Sequence, residues 1–188
     1  VIAAGSAPIR TGFQPYTFHE IEGWNRQNVL TDFDVLQETA QLGQNVVIAD
    51  SLGFIEAPGI AELLTKKGKS VQLITPHPFI AMELKSMNHW EHIMPRILGS
   101  DVKVHPLTWI KKIQETSLTL YNIYLPGKEF LLDKIDSVIL LTGKMQNDSL
   151  FAPFKGLIKE TYLAGDANLG GARIGNAIFD GNKIGRLL

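Results

Sequence analysis

Short runs of consecutive apolar residues recur along the chain and predict buried β-strands. The clearest run, residues 45–50 (NVVIAD), is apolar almost throughout, as parallel strands covered on both faces are. Similar runs occupy residues 71–75 (VQLIT) and 138–143 (VILLTG). Residues 1–5 (VIAAG) predict a strand that leads into a glycine turn. Because this strand starts at the first residue, we expect further sequence upstream of it.

Helical patterns separate these apolar runs. Pro58 near the start, an apolar stripe at helical spacing and Gly68 beyond the end predict a helix at residues 58–67. Together with the strands before and after it, this helix forms a βαβ unit, whose crossover we expect to be right-handed. Further helices are predicted at residues 32–42, 88–98 and 172–188.

The remaining segments complete an α/β prediction. Residues 6–28 lack periodicity and are interpreted as a connecting segment. The other predicted strands are residues 102–105, a meander of 108–113, 118–124 and 129–135 with a turn at Pro126-Gly127, and 162–166. We therefore expect a Rossmann-like parallel sheet with helices on both faces, together with an antiparallel β-meander.

Composition narrows the class of protein further. The 188 residues are 45% hydrophobic and 20% charged, which is typical of a globular protein. A formal net charge of −1 provides no basic surface for nucleic acid or an anionic membrane. The chain contains no cysteine, so it offers no disulfide, thiolate metal site or redox-active dithiol. No apolar run is long enough to span a bilayer, and we expect a cytoplasmic protein.

Four short motifs carry a family resemblance by their order along the chain. They are residues 1–8 (VIAAGSAP), 59–64 (GIAELL), 141–148 (LTGKMQND) and 162–166 (YLAGD). Together they resemble the C-terminal half of the NADH:flavin oxidoreductase family, which includes 2,4-dienoyl-CoA reductase and trimethylamine dehydrogenase. The resemblance implies that residues 1–27 and 148–188 form a partial FAD/ADP-type fold, and that residues 28–147 are an NAD(P)-type insert.

The resemblance also implies a partial site for FAD or ADP. Asp166 follows Gly165 at the end of a predicted strand, where a carboxylate can accept hydrogen bonds from sugar or ribityl hydroxyls. The other candidate cofactor-binding residues are Ala4, Gly5, Gly165, Gly170 and Gly171. The alternative is structural: Asp166 caps a helix or a turn, and the glycines belong to ordinary loops.

The insert departs from the dinucleotide fingerprint. Its two candidate loop glycines, Gly53 and Gly59, are out of phase with G-x-G-x-x-G, and Asp50 stands where the pattern requires glycine. Asp50 and Glu56 place carboxylates where a phosphate would bind, or they cap the helix themselves. No acidic residue follows the strand at 71–75 to bind a ribose. We therefore do not expect NAD(P)H to bind, a feature similar to the trimethylamine dehydrogenase branch.

Two histidines raise the question of a metal site. His89 and His92 lie three residues apart, near one face of a predicted helix, but only two ligands are visible. We prefer a surface with Trp90 packed inward, and we expect neither a metal site nor catalytic residues in this chain.

Three functions remain open. The leading hypothesis is the C-terminal nucleotide-binding module of a flavin-dependent oxidoreductase that is inactive alone, with the catalytic flavin domain elsewhere. The second is a non-catalytic assembly domain whose Rossmann core has lost ligand binding. The third is the NAD(P)H-binding domain of an NADH oxidase or reductase. The expected partner is the remainder of a flavoprotein or a second copy of the chain.

Overall fold

The computed structural model describes residues 1–13, 17–171 and 173–188. It contains two compact units: unit 1 is Val1–Ile9 with Gly143–Leu188, and unit 2 is Arg10–Thr142. The sequence had suggested divisions after residues 27 and 147, whereas the units divide after Ile9 and Thr142. Residues 14–16 of the predicted connecting segment, and Ala172 at the predicted start of the last helix, lie outside the described residues.

Unit 2 is built on a parallel sheet of five strands in the order β2-β9-β3-β4-β5, which confirms the predicted parallel sheet. The strands are β2 (Val29–Thr31), β3 (Asn45–Asp50), β4 (Ser70–Ile74), β5 (Lys103–His105) and β9 (Ser137–Leu141). The central strand β3 pairs with β4 on one side and with β9 on the other. Its position explains its nearly continuous apolar sequence, because both of its faces are covered.

Helices cover one face of this sheet. They are α1 (Asp32–Leu36), α2 (Glu56–Lys66) and α3 (Trp90–Leu98), and a 3₁₀ turn at Met82–Met87 precedes α3. Val46 and Ile48 of β3 pack in one core with Ile60 and Leu64 of α2 and with Ile97 of α3. Among the described residues, no helix has the length and apolarity that crossing a membrane requires.

The opposite face of the sheet packs against the meander, where the sequence had led us to expect helices. The meander is an antiparallel sheet of β6 (Thr108–Ile113), β7 (Ser117–Asn122) and β8 (Leu125–Asp133). Val47 and Ala49 of β3 point to this side and share a second core with Trp109, Leu118 and Leu120. The large apolar side chains of β6 and β7 fill the space that a helix layer occupies in a doubly wound sheet.

Two local predictions in unit 2 were wrong. Residues 123–124 form the turn between β7 and β8, while Pro126 and Gly127 lie inside β8. Strand β8 is at the edge of its sheet, where the missing N–H of a proline is tolerated. Helix α1 ends at Leu36, short of the predicted residue 42, because Glu38 adopts a left-handed conformation with φ of 54°.

Unit 1 contains little regular structure. Strands β1 (Ser6–Pro8) and β10 (Lys144–Gln146) pair antiparallel, and helices α4 (Phe151–Phe154) and α5 (Ile174–Gly185) follow β10. The strands predicted at residues 1–5 and 162–166 were wrong as strands: they meet only in one isolated parallel bridge, Ile2 with Leu163. Apolar sequence alone did not make them buried strands, because a strand forms only where neighbours pair with it along its length.

Candidate functional site

The candidate site of unit 1 begins where two chain segments run side by side. The N–H of Ile2 donates to the carbonyl of Tyr162 at 2.7 Å, and the N–H of Ala164 donates to the carbonyl of Ile2 at 2.9 Å. This pairing is parallel, so both segments end at the same edge. In α/β folds, ligands bind beyond the carboxyl ends of parallel strands.

The residues that follow these two ends are in contact. Ser6 Oγ donates a 2.9 Å hydrogen bond to Asp166 Oδ2, although 160 positions separate the two residues. Gly5 makes the approach with φ of 77°, in the left-handed region that favours glycine, and a Cβ added there would meet nothing within 4 Å. The Asp166 carboxylate therefore contacts the residue that follows Gly5, whose own backbone is open on its Cβ side.

A second carboxylate holds the turn that carries Asp166. Gly165 and Asp166 begin a 3₁₀ turn, Gly165–Ala167. Asp180 of α5 accepts hydrogen bonds through Oδ2 from the N–H of Gly165 at 3.0 Å and from Asn168 Nδ2 at 3.2 Å. Gly165 has φ of 62°, and a Cβ there would lie 3.3 Å from Ala177 Cβ. Helix α5 thus fixes the position of the turn through the Asp180 carboxylate and through the close packing of Ala177 on Gly165.

The structure gives the remaining candidate residues of unit 1 different surroundings. A Cβ at Gly170 would lie 2.4 Å from the backbone N of Gln146, so Gly170 packs directly against β10. Gly171 has φ of 71° and is exposed. The carbonyls of Ala4 and Gly5 accept hydrogen bonds from Asn147, through its side chain and its N–H. Glycine at position 170 thus has a packing reason, and any ligand contact by these residues stays a prediction.

The corresponding position in unit 2 is the turn between β3 and α2. Asp50 ends β3 and is 1% exposed. Its Oδ1 accepts hydrogen bonds from the N–H of Leu52 at 2.9 Å and from the N–H of Gly53 at 3.1 Å. Among the described residues, Asp50 Oδ2 is buried without a hydrogen-bond partner. Burial raises the pKa of Asp50 to about 6, although the two amides and the charge of His77 act to lower it.

Side chains from the neighbouring segment close this turn. His77 Nε2 lies 3.1 Å from the carbonyl oxygen of Ser51, and a Cβ at Gly53 would lie 3.3 Å from the His77 ring. The N–H of Glu83 donates to the carbonyl of Gly53 at 3.0 Å. Gly59, the other candidate loop glycine, is instead inside α2 on its exposed side, where a Cβ would meet nothing within 4 Å.

The two histidines considered as metal ligands lie at the surface. His89 and His92 are both exposed. Trp90 between them packs edge-to-face on Phe79 and donates from Nε1 to the carbonyl of Ile80 at 3.0 Å. Among the described residues, no group of three or more His, Asp or Glu side chains could hold a metal ion.

Sequence reasoning missed three residues that shape these sites: Ser6, Asp180 and the role of His77. The partner of Ser6, Asp166, lies 160 positions away in the sequence. Asp180 has the appearance of an ordinary charged helix residue. No local sequence pattern predicts these contacts, because each one depends on the tertiary pairing of segments that are distant in sequence.

No protein-family model matches the chain. It is 25% identical to dimethylamine dehydrogenase from Hyphomicrobium sp. (strain x) over 216 aligned positions, which cover 99% of this chain and 28% of the relative.

Solved structures show the same fold. Histamine dehydrogenase from Rhizobium sp. 4-9 matches with a TM-score of 0.90 and 21% identity, over 100% of this chain and 30% of that one. The 6-hydroxypseudooxynicotine amine oxidase from Pseudomonas geniculata N1 matches with a TM-score of 0.89 and 23% identity, over 97% and 28%.

The chain therefore spans less than a third of the length of each of these three proteins. Thioredoxin reductase from T. acidophilum, with a TM-score of 0.63, extends the likeness in fold to the wider group of dinucleotide-binding oxidoreductases. The chain is similar to the C-terminal module of flavin-dependent oxidoreductases such as dimethylamine dehydrogenase, as the order of its sequence motifs predicted.

Proposed function

We propose that unit 1 contributes part of an FAD- or ADP-type nucleotide site in a larger flavin-dependent oxidoreductase, whose catalytic flavin lies outside this chain. The observation that carries the proposal is the contact of Ser6 with Asp166 at the ends of two parallel segments. A carboxylate at the ends of parallel segments supports the proposal, because dinucleotide folds use such a carboxylate to bind a sugar hydroxyl. The Ala4, Gly5, Gly165, Asp166, Gly170 and Gly171 assignments belong to this proposal.

The residues present fit the sugar part of such a ligand. Asp166 is partly exposed, and Ser6 donates to only one of its two carboxylate oxygens. The open space at Gly5 allows a ligand to approach the backbone closely. The carboxylate would accept hydrogen bonds from hydroxyl groups of the nucleotide, and the phosphate-binding loop would come from another part of the larger protein.

The relatives suggest the chemistry of the larger protein. Dimethylamine dehydrogenase, histamine dehydrogenase and an amine oxidase are all named for amine oxidation. We infer an amine as the substrate class and the remainder of the flavoprotein as the partner of unit 1. Large apolar side chains exposed on unit 1, such as Ile178 and Phe179, support such a partner.

A second candidate is an assembly domain without a ligand. It is favoured by the occupied turn of unit 2, where Asp50 already accepts both turn amides, and for the same reason we assign no NAD(P)H to that unit. The two candidates differ in one measurable property, since an assembly domain would bind neither ADP nor FAD.

Calorimetric titration of the purified chain with ADP and with FAD tests the proposal. We expect binding that Asp166→Ala weakens about tenfold, because a charged acceptor is lost from the site. Glu160→Ala is the matched control, since Glu160 is an exposed carboxylate of the same unit. If neither ADP nor FAD binds, or if the two variants lose the same amount of affinity, the nucleotide site is contradicted and the assembly domain is favoured.

A further inference from the structure

The β3–α2 turn of unit 2 lies where Rossmann-like folds bind a pyrophosphate. From β3 the chain crosses through α2 to β4 and then β5 on one side of the sheet, whereas β9 lies on the other side of β3. The turn is therefore at the switch point of the strand order. In a working site, backbone N–H groups of this turn and of the helix start would donate to the phosphates.

In this chain the donors of the turn are already engaged. The N–H groups of Leu52 and Gly53 both donate to Asp50 Oδ1, at 2.9 and 3.1 Å. The N–H of Ser51 donates to the carbonyl of Leu141 at 3.1 Å. Three successive amides thus have protein acceptors, and a phosphate entering the turn would have to displace them.

The acceptor that engages two of these amides is itself an anion held out of water. Asp50 is 1% exposed, and its Oδ2 has no hydrogen-bond partner among the described residues. A simple turn-capping aspartate at the surface would keep that oxygen hydrated. Here the carboxylate fills the interior of the turn, as a bound anion would.

We propose that the Asp50 carboxylate occupies the place of a ligand pyrophosphate and is the specificity-determining residue that closes unit 2 to dinucleotides. This inference goes beyond the proposed function, because it concerns unit 2 and does not depend on nucleotide binding by unit 1. The β3–α2 turn is therefore a site that can bind a ligand only when the Asp50 carboxylate is removed. The ligand class is then a pyrophosphate or a nucleoside diphosphate.

The groups around Asp50 reinforce the closure. Glu56 lies in the first turn of α2, and its charge acts to raise the pKa of Asp50. The side chain of Glu83, in the 3₁₀ turn before α3, lies 3.6 Å from where a Cβ at Gly53 would be. His77 covers the turn from the segment after β4 through its contact with the Ser51 carbonyl. Two further carboxylates near the same turn add like charge that opposes an incoming phosphate.

The test is a titration of the full chain with inorganic pyrophosphate and with ADP, followed by the amide resonances of Leu52 and Gly53. This readout is local to unit 2 and is unaffected by binding in unit 1. In the wild-type chain we expect neither resonance to move at millimolar ligand. Movement of both on titration would show that the amides are free to bind an anion and would overturn the proposal.

Two substitutions of Asp50 distinguish between two ways of excluding a phosphate: engagement of the turn amides by the side chain, and repulsion by its negative charge. Asp50→Ala frees the amides, and we expect pyrophosphate to bind about tenfold or more tightly than in the wild type. Asp50→Asn removes the charge but keeps an acceptor oxygen, so it should gain little. Asp101→Ala, at an exposed carboxylate of unit 2, is the control.

The outcomes are distinct. A folded Asp50→Ala variant that gains no pyrophosphate binding overturns the proposal. An equal gain in Asp50→Asn also overturns it, because charge repulsion and not occupancy would then close the site. If Asp50→Ala does not fold, Asp50→Gly, which restores the residue type that the fingerprint uses, replaces it in the same titration.

Discussion

The two units of this chain differ sharply in how much apolar surface they bury. In unit 2 the parallel sheet has a dense core on each face, and side chains such as Leu73 and Trp109 are fully buried. In unit 1 the buried hydrophobic residues among those described are Ala164, Ala167 and Ile184. Its exposed large hydrophobic residues are Val1, Met145, Leu150, Phe154, Leu157, Ile158, Leu169, Ile174, Ile178, Phe179, Leu187 and Leu188.

The difference in buried apolar surface indicates which unit has a core that can stabilise it. Unit 2 has the two packed cores from which a domain derives its stability. The longest element of unit 1, α5, has 12 residues and buries only Ile184. Helices of this length are marginal in water without packing. We therefore expect the cooperative unfolding transition of the chain to be that of unit 2. The stability of unit 1 should depend on its local hydrogen bonds and on the remainder of the flavoprotein.

The largest expected effect on stability comes from replacing one leucine in each unit and comparing the two losses. Leu73→Ala in β4 removes a fully buried side chain and leaves a cavity, which should lower the free energy of unfolding by about 2–5 kcal/mol. Leu157→Ala in unit 1 removes a side chain that is 81% exposed and should change it by under about 0.5 kcal/mol. Urea denaturation measures both. Similar losses from the two substitutions would mean that unit 1 has a core of its own.

The next effect is a pH dependence that arises inside unit 2. Burial raises the pKa of Asp50 from its usual 3.8 to about 6. Between these values the unfolded chain releases the proton more readily than the folded chain, so stability falls as pH rises from about 4 to 6. A difference of about two pKa units corresponds to roughly 3 kcal/mol. Thermal melting across this pH range measures the slope.

Asp50→Asn is the substitution that isolates this effect. The amide keeps an oxygen that accepts from Leu52 and Gly53 but cannot ionise, so the melting temperature of the variant should lose most of its dependence on pH between 4 and 6. At pH 7 the variant should be at least as stable as the wild type, because a buried charge is removed. An unchanged slope in Asp50→Asn would show that Asp50 is not the titrating group.

A smaller effect of opposite sign is expected at Asp34, also in unit 2. Burial acts to raise its pKa, but the hydrogen bond from Arg10 and those from Thr31 outweigh burial and lower the pKa. Asp34 Oδ2 accepts from the N–H and the hydroxyl of Thr31, both at 2.8 Å, at the start of α1. Its contribution is therefore present above the unfolded pKa and is lost as pH falls.

Asp34→Ala should lower the free energy of unfolding at pH 7 by about 1 kcal/mol, mostly through the lost contact at the helix start. The pair with Arg10 adds little, because the arginine side chain is more than half exposed. Urea denaturation at pH 7 and pH 3 checks the prediction. The loss should shrink at pH 3, and a loss that stays constant would contradict the stated pKa direction.

The structure of unit 2 could be predicted from the sequence better than that of unit 1. The run at residues 45–50 was found as β3 with the same bounds, because a strand buried on both faces must be apolar throughout. Residues 1–5 are also mostly apolar, yet they form no strand, because their partner is a single bridge to Leu163. The contact of Ser6 with Asp166 joins residues 160 positions apart, and no local pattern encodes it.

The smallest effect on global stability, and the most specific to unit 1, is expected at Asp180. Asp180→Ala removes the acceptor for the N–H of Gly165 and for Asn168 Nδ2, so α5 should separate from the turn that carries Asp166. Unfolding of unit 2 should change by under about 0.5 kcal/mol. Amide hydrogen exchange should become faster in α5 and at residues 165–168, while β3 and β4 stay protected, because local opening is independent of the global transition. Asn182→Ala controls for helix propensity, since Asn182 is exposed on the same helix. If Asp180→Ala accelerates exchange in β3 as well, the two units unfold together, and the comparison drawn between them is wrong.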